Sequence, residues 1–197
     1  MQENQSKTIK VYELRKQDSV LLPYKKCFFV YYGYFIECFN GQWLRFIGPG
    51  GVIETSDLPY ITYLGIAKEN KIIEVSAASL AKPTNSRETI DIIAQNFYIR
   101  QFCAMERLII LWKDIGEDIG RLNIRDCIVP KVVTQSNIAT CLGVSREYLN
   151  NMQKNLTKDN MIAREDGQII LKDWNNWCDA YQNILKKYSI DGTGEIK

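Results

Sequence analysis

Residues 134–157 read T-Q-S-N-I-A-T-C-L-G-V-S-R-E-Y-L-N-N-M-Q-K-N-L-T. Thr134 and Ser145 are good N-caps, and each stands just ahead of a short segment with helical spacing of its apolar residues. Gly143 lies between the two segments, where a residue without a Cβ adopts left-handed backbone at least cost. The stretch therefore predicts a helix-turn-helix whose second helix is built to enter a major groove.

Small or apolar residues occupy the positions of this motif that must face inward. Ala139 stands where the first helix has to be narrow enough for the second to cross it closely. The other positions predicted to face inward are Ile138, Leu142, Val144, Leu149 and Met152. An ordinary helical hairpin that binds nothing is the alternative, and the agreement of so many positions favours a DNA-binding motif over it.

The composition is that of an ordinary globular protein of 197 residues, 46% hydrophobic and 24% charged. The net charge of +2 does not by itself indicate a nucleic-acid partner. The stretch 131–164 is more basic, because it holds five lysines and arginines against Glu147 and Asp159, a local charge of +3. This excess suits a surface that meets phosphates, and a solvated helical face would show the same charge.

The residue types exclude several kinds of chemistry. The chain has no histidine, and its six cysteines include no C-x-x-C pair. Zinc fingers, zinc hydrolases and histidine-dependent triads therefore lack ligands or a base, and we predict that the chain is not an enzyme. No apolar run approaches the ~20 residues of a membrane span and no signal peptide is evident, which indicates a cytoplasmic protein without a membrane partner.

The N-terminal part of the chain has the texture of short strands and turns. Phe28–Phe39 is aromatic and β-branched throughout, and the Asn40-Gly41 dipeptide after it is a strong hairpin signal. Tyr60–Ala67 and Lys71–Ser76 are expected to form a further strand pair. Strands at this spacing predict an antiparallel roll or barrel.

Two helices are expected between this roll and the helix-turn-helix. The first has a cap at Asn85 or Ser86 and an apolar stripe that includes Ile90, Ile93 and Phe97. Such a stripe is typical of the seam of a homodimer, and packing against the chain's own roll is the alternative. The second helix runs from about 104 to 119, and its two glycines, at 116 and 120, are expected to loosen its end.

A wing and a last helix are predicted after the helix-turn-helix. Residues 163–164 and 169–171 read as strands on either side of the turn Glu165-Asp166-Gly167-Gln168. Such a wing places backbone and Arg164 beside the groove. The final amphipathic helix covers about 172–188.

The order of these parts resembles that of the Crp–Fnr family of bacterial transcription regulators. The likeness is most specific over about 131–172, where V-T-Q-S-N-I-A-T-C-L-G-V-S-R-E-Y-L-N-N-M-Q-K-N-L-T-K-D-N-M-I includes the typical Ser145-Arg146-Glu147 triplet. It is weaker over 20–120, where N-G-Q-W-L-R-F-I-G-P-G-G-V-I resembles the family's hairpin and Pro-Gly turn.

The resemblance implies an α+β fold in three parts. Residues 1–83 are expected to form an antiparallel, cupin-like β-roll that acts as a sensor-like domain. Residues 84–122 would be the linker and the central dimerisation helices. Residues 123–197 would be the C-terminal winged helix-turn-helix with an extra C-terminal helix.

The chain departs from the family where ligands are bound. Family members that take cyclic nucleotides hold the phosphate with an arginine, and no arginine lies between Arg45 and Arg87 here. The N-terminal cysteine cluster of oxygen-sensing members is absent as well. We therefore predict neither cyclic-nucleotide binding nor an iron–sulfur cluster, and no other cofactor or metal.

The family's DNA contacts map onto the helix-turn-helix and the wing. By resemblance, the residues that would read base edges are Arg146, Glu147, Asn150 and Asn151. Those that would bind phosphates are Thr134, Gln135, Ser145, Tyr148, Lys154 and Arg164.

The function that the resemblance implies is transcription regulation by a homodimer on a near-palindromic site in double-stranded DNA, with two recognition helices ~34 Å apart. RNA polymerase is a further partner that an activator of this kind would need. Two alternatives stay open. The roll could sense an unknown small molecule or peptide, or the chain could be a protein-interaction module derived from such a regulator.

Overall fold

The computed structural model of the chain describes residues 9–55, 57–77 and 89–188. The chain forms two compact units, Met1–Gln95 and Asn96–Lys197. Antiparallel sheets and five helices among the described residues make the protein α+β, as predicted. No helix in this part of the chain is long and apolar enough to cross a membrane.

The first unit holds eight strands in two four-stranded antiparallel sheets. The strands are β1 (Val11–Arg15), β2 (Ser19–Val20), β3 (Cys27–Tyr32), β4 (Phe35–Phe39), β5 (Gln42–Ile47), β6 (Val52–Glu54), β7 (Ile61–Gly65) and β8 (Glu69–Val75). The strand orders are β1-β8-β3-β6 and β2-β7-β4-β5, which is the winding of a jelly roll. The predicted antiparallel roll is therefore present.

The interior of the roll is filled by its own side chains. Both sheets contribute to one core, whose members include the fully buried Phe28, Val30, Phe35, Ile53 and Ile72. In β3 and β7 alternation contributes to this core, since every second side chain points inward. Asn40 and Gly41 both have positive φ, as the predicted tight hairpin between β4 and β5 requires.

The predicted pairing of the strands around residue 70 is wrong. Strand β7 pairs with β2 and β4, whereas β8 pairs with β1 and β3 in the other sheet. The buried Asn70 explains the crossing. Its Oδ1 accepts from the backbone N–H groups of Tyr34 and Ala67, and its Nδ2 donates to the carbonyl of Leu14. One amide thereby satisfies backbone groups where the chain passes between sheets.

The aromatic run at 28–39 also divides between the two sheets, with β3 in one and β4 in the other. Gly33 lies at the division with φ +87°, and a Cβ there would be 2.6 Å from Asn70 Cα. The position therefore needs both left-handed backbone and the absence of a side chain. A single aromatic run contains no signal for this break except its glycine.

A buried ion pair joins the roll to helix α1 (Thr89–Ile99). The Glu37 side chain is fully buried, and its Oε2 lies 2.5 Å from Arg45 Nε. The hydroxyl of Thr89, the first residue of α1, donates to Glu37 Oε1 at 2.9 Å. A carboxylate at a helix N-terminus is also stabilised by the helix dipole. The cap predicted at Asn85 or Ser86 lies outside the described residues.

The second unit contains four further helices and one four-stranded sheet. Its elements are α2 (Ala104–Ile119), β9 (Arg121–Asn123), β10 (Asp126–Val129), α3 (Gln135–Leu142), α4 (Arg146–Lys158), β11 (Ile162–Glu165), β12 (Gln168–Leu171) and α5 (Trp174–Tyr188). Helix α2 has the predicted bounds. The connector after it forms a hairpin of two strands, β9 and β10.

The glycines of α2 permit close packing, and the expectation that they loosen its end is wrong. A Cβ on Gly116 would lie 2.4 Å from the indole ring of Trp174. A Cβ on Gly120 would lie 2.3 Å from Cys127 Sγ and 2.5 Å from the carbonyl oxygen of Gly116. Helix α2 continues to Ile119, and its buried face packs against β10, α3 and α5.

The end of α5 is held at the corner between α1 and α2. The ring of Tyr188 stacks on Phe102 with 4.1 Å between centroids. Glu106 accepts hydrogen bonds from Lys187 Nζ at 2.8 Å and from the Tyr188 hydroxyl at 2.7 Å. Burial alone would raise the pKa of Glu106, but these bonds and one from the backbone N–H of Cys103 lower the pKa to about 2.

We expect Gly120→Ala to destabilise the protein by about 1–3 kcal/mol, the usual cost of overpacking, because the new methyl group meets a backbone carbonyl that cannot rotate away. Urea unfolding followed by circular dichroism measures the loss. Gln182→Ala, at an exposed position of α5, is the matched control and should stay within about 0.5 kcal/mol of the wild type. Equal stabilities of the two variants would contradict the packing role of Gly120.

We also expect Glu106→Gln to lower stability in a pH-dependent way. Because the folded-state pKa lies below the ordinary value of 4.5, the carboxylate stabilises the fold above that pH, and this stability is lost as the pH falls toward about 2. The difference in melting temperature between wild type and variant should therefore be full at pH 7 and vanish near pH 2. A difference that does not change between these pH values would argue against the predicted role of the carboxylate.

Candidate nucleic-acid interface

Both helices of the predicted helix-turn-helix begin at the capping residues identified in the sequence. Thr134 Oγ1 accepts from the backbone N–H of Asn137, whose side chain accepts from the N–H of Thr134 in return. Ser145 Oγ accepts from the N–H of Tyr148 at 3.1 Å. These caps satisfy backbone donors at the start of α3 and α4, and they set where each helix begins.

The turn between α3 and α4 has the predicted geometry. Gly143 has φ +66° and ψ +37°, and its N–H bonds back to the end of α3. Ala139 is buried, and α3 and α4 pack against each other. Four further positions predicted to face inward are also buried, namely Ile138, Leu142, Leu149 and Met152, while Val144 is half-buried.

The outer face of α4 carries all four residues predicted to read bases. Arg146, Glu147, Asn150 and Asn151 are exposed, whereas Leu149, Met152 and Leu156 are buried on the opposite face. The helix is thus amphipathic, and its solvent side holds one cation, one anion and two amides within its first two turns. These groups can donate to and accept from base edges.

Helix α4 leads into the predicted wing. Strands β11 and β12 pair in antiparallel register, with Arg164 opposite Ile169. Asp166 and Gly167 both have positive φ in the connecting turn, which is the geometry of a tight hairpin. Because β12 also pairs with β10, the wing forms part of the sheet on which α2 rests.

The residues predicted to bind phosphates differ in what they contact. Ser145 and Tyr148 are exposed at the start of α4, and Lys154 is exposed two turns further along the helix. Gln135, the first residue of α3, and Arg164 on β11 both donate to the side chain of Gln153, which we did not predict as a site residue. They are joined through Gln153 Oε1 at 2.7 Å each.

Gln153 is the residue of this region that the sequence analysis missed. Its side chain is only 3% exposed, although glutamine is ordinarily a surface residue. The signal was its spacing, because Leu149, Met152, Gln153 and Leu156 follow one inward stripe of a helix. A polar residue inside such a stripe predicts a buried hydrogen-bonding group.

The residues predicted at a dimer seam lie on α1 and fall into two groups. Ile90 and Phe97 are 56% and 59% exposed, more than any other large apolar side chain on the described helices. Ile93 is half-buried and packs against the core of the roll, so the alternative of packing within the chain holds for this residue. Arg100 lies 5.5 Å above the ring of Phe97.

Several solved structures share the fold of this chain. FixK2 from Bradyrhizobium japonicum is 14% identical, with a TM-score of 0.62 over 88% of this chain and 97% of that one. A transcriptional regulator of the CRP/FNR family from Thermus thermophilus is also 14% identical, with a TM-score of 0.57 over 88% and 98%. A cyclic nucleotide-binding domain containing protein from Listeria monocytogenes is 12% identical, with a TM-score of 0.61 over 85% and 90%.

No family model and no curated protein sequence matches the chain. The structural likeness extends over most of the chain and most of each solved structure. The chain therefore has the fold of the CRP/FNR transcription regulators, and the resemblance recognised in its sequence is confirmed at the level of the fold.

Proposed function

We propose that this chain, with its CRP/FNR fold, is a cytoplasmic transcription regulator that binds specific sequences in double-stranded DNA. The proposal rests chiefly on one observation, the exposed face of α4. Four side chains capable of reading base edges stand together on a helix whose start is fixed by a cap and a left-handed turn. The solved structures with the same fold include transcriptional regulators.

Each residue on this face can form hydrogen bonds with the edge of a particular base. Arg146 presents a fork of donors that fits the O6 and N7 acceptors of guanine. Glu147 accepts from the N4 amino group of cytosine. Asn150 and Asn151 match the N7 acceptor and N6 donor of adenine, so the half-site should combine guanine or cytosine with adenine-containing pairs.

Phosphate contacts would then fix the register of α4 in the groove. Ser145 Oγ accepts the N–H of Tyr148, and its own O–H can still donate to a phosphate oxygen. Lys154 lies two turns further along the exposed face, where its charge can reach the backbone of the duplex. Thr134, Gln135, Tyr148 and Arg164 complete the proposed phosphate-binding set.

The exposed stripe on α1 supports a homodimer as the binding species. Ile90 and Phe97 leave apolar surface in water, and a second copy of the same helix would cover it. Two copies related by a twofold axis would present two recognition helices to a near-palindromic site, with half-sites one DNA turn apart.

The roll is proposed to work without a cyclic nucleotide. Arg45 is the last arginine before Arg87, and its guanidinium is already paired with the buried Glu37. A buried phosphate in the roll would therefore lack the bidentate partner that such anions favour. The roll core is also filled by aromatic and branched side chains. We propose neither an enzymatic activity nor a bound cofactor.

Selection of bound sequences from a random duplex library, with no added ligand, tests the proposal. An enriched inverted repeat would support specific binding by a dimer that needs no effector. Absence of enrichment in folded protein would contradict specific binding without an effector. Repeating the selection with cell extract would then distinguish an effector-gated regulator, which recovers enrichment, from a protein-interaction module, which does not.

Arg146→Ala should weaken binding to the selected site by about 1–3 kcal/mol and relax specificity at one base pair, because a bidentate base contact is lost. Lys154→Ala is the matched control on the same helix. It should weaken binding to all sequences alike. It should also reduce the slope of log affinity against log salt concentration by about one, because one phosphate contact is lost. Fluorescence anisotropy with single-base variants of the site measures both, and equal losses on every variant for Arg146→Ala would refute its role in base reading.

Phe97→Glu should convert the dimer to a monomer, because removing a carboxylate from water in an apolar seam costs more than a pairing with the nearby Arg100 would return. Sedimentation velocity at micromolar concentration measures the change. Asp91→Lys, an exposed position of the same helix away from the stripe, should leave the dimer intact. A Phe97→Glu variant that sediments as the wild type does would place the interface elsewhere.

A further inference from the structure

A buried amide connects the three elements of the proposed DNA interface. Gln153 occupies the eighth position of α4, Gln135 is the first residue of α3, and Arg164 lies on the wing strand β11. Gln153 Oε1 accepts from Gln135 Nε2 and from Arg164 Nη2, both at 2.7 Å. We call these three residues the Gln153 junction.

The chemistry of the partners fixes the orientation of this amide. A guanidinium has only donors, so Arg164 must meet the oxygen of Gln153. The same oxygen has a second lone pair, which takes the amide N–H of Gln135. One atom therefore sets the positions of two side chains that approach from different elements.

Stability alone does not account for a glutamine at this position. Gln153 Nε2 and Gln135 Oε1 are buried without a hydrogen-bond partner among the described residues. An unsatisfied buried polar atom costs free energy, and a leucine of similar size at position 153 would continue the apolar stripe of Leu149, Met152 and Leu156 without an unpaired nitrogen of its own. What the glutamine provides in return is the pair of bonds that its oxygen makes to α3 and to the wing.

We propose that Gln153 is a positioning residue for DNA recognition, a role that rests on the proposed function. Through the Gln153 junction it holds Gln135 at the start of α3 and Arg164 on the wing in fixed relation to α4. The phosphate contacts proposed for Gln135 and Arg164, on the two sides of the recognition helix, are then fixed in position relative to each other. A side chain shielded from solvent thereby governs how accurately the exposed base-reading residues are placed in the groove.

Gln153→Leu removes both hydrogen bonds while preserving size and apolar packing. The first measurement uses the protein without DNA, namely the exchange rate of the Arg164 guanidinium protons by NMR. Exchange should be several-fold faster in the variant, because Arg164 has lost its acceptor. Gln153→Glu keeps an acceptor oxygen and should retain slow exchange. Thermal unfolding of all variants confirms that they are folded, and Gln153→Met replaces the leucine variant if that one is not.

The second measurement compares affinity for the selected site with affinity for a random duplex of equal length. Gln153→Leu should reduce this ratio by about tenfold, as expected for loss of a positioning contact. Adding Arg164→Ala to Gln153→Leu should change the ratio little further, because both act through the same contact. Gln153→Glu should restore most of the ratio.

The two measurements separate the possible failures. Unchanged guanidinium exchange in Gln153→Leu would overturn the junction itself. Faster exchange with an unchanged affinity ratio would overturn its role in recognition. Failure of the wild-type protein to prefer any duplex would refute the proposed function, and with it the role in recognition, while the exchange data would still decide whether Gln153 holds Arg164.

Discussion

The close approach of α2 to β10 and α5 is the constraint on which the second unit depends. Two glycines, Gly116 and Gly120, leave no side chain where the sulfur of Cys127 and the ring of Trp174 must fit. Because the core is close-packed, atoms added at these points cannot be absorbed by empty space. The position of α2 in turn fixes the position of the sheet. Because β11 and β12 belong to this sheet, the wing is placed beside the recognition helix.

Buried polar side chains join segments that are distant from each other in the sequence. Asn70 binds backbone groups at the crossing between the two sheets of the roll, and Glu37 joins strand β4 to the start of α1. Gln153 does the same for the helix-turn-helix and the wing. Apolar burial supplies most of the stability of such a fold but has little directional preference, whereas hydrogen bonds of this kind select one geometry.

Much of the second unit was predictable from the sequence because its signals are local. A cap, a left-handed glycine and an inward stripe each act within a few residues, and Thr134, Gly143 and Ser145 occupy the predicted roles. The bounds of α2 and the strands of the wing followed from the same kind of pattern. The exposed face of α4 then follows from the periodicity of its buried face.

The features that sequence reasoning missed depend on contacts between distant segments. The pairing of β7 and β8 with strands of different sheets is set by Asn70, whose partners include a residue 56 positions earlier. The packing role of Gly120 depends on Cys127, which lies beyond the turn of the next hairpin. Gln153 carried a local signal, since it interrupts an apolar stripe, but its partners on α3 and β11 could not be deduced from spacing.

The fixing of α5 at the α1–α2 corner has a consequence for how the protein matures on the ribosome. Translation proceeds from the N-terminus, so the roll can fold while the rest of the chain is still being made. The second unit has to wait, because Phe102 gains its stacking partner and Glu106 its two side-chain donors only from residues 187 and 188. A nascent chain that already displays its recognition helix would therefore still lack a complete core. The second unit could complete this core only after the last turn of α5 has been synthesised.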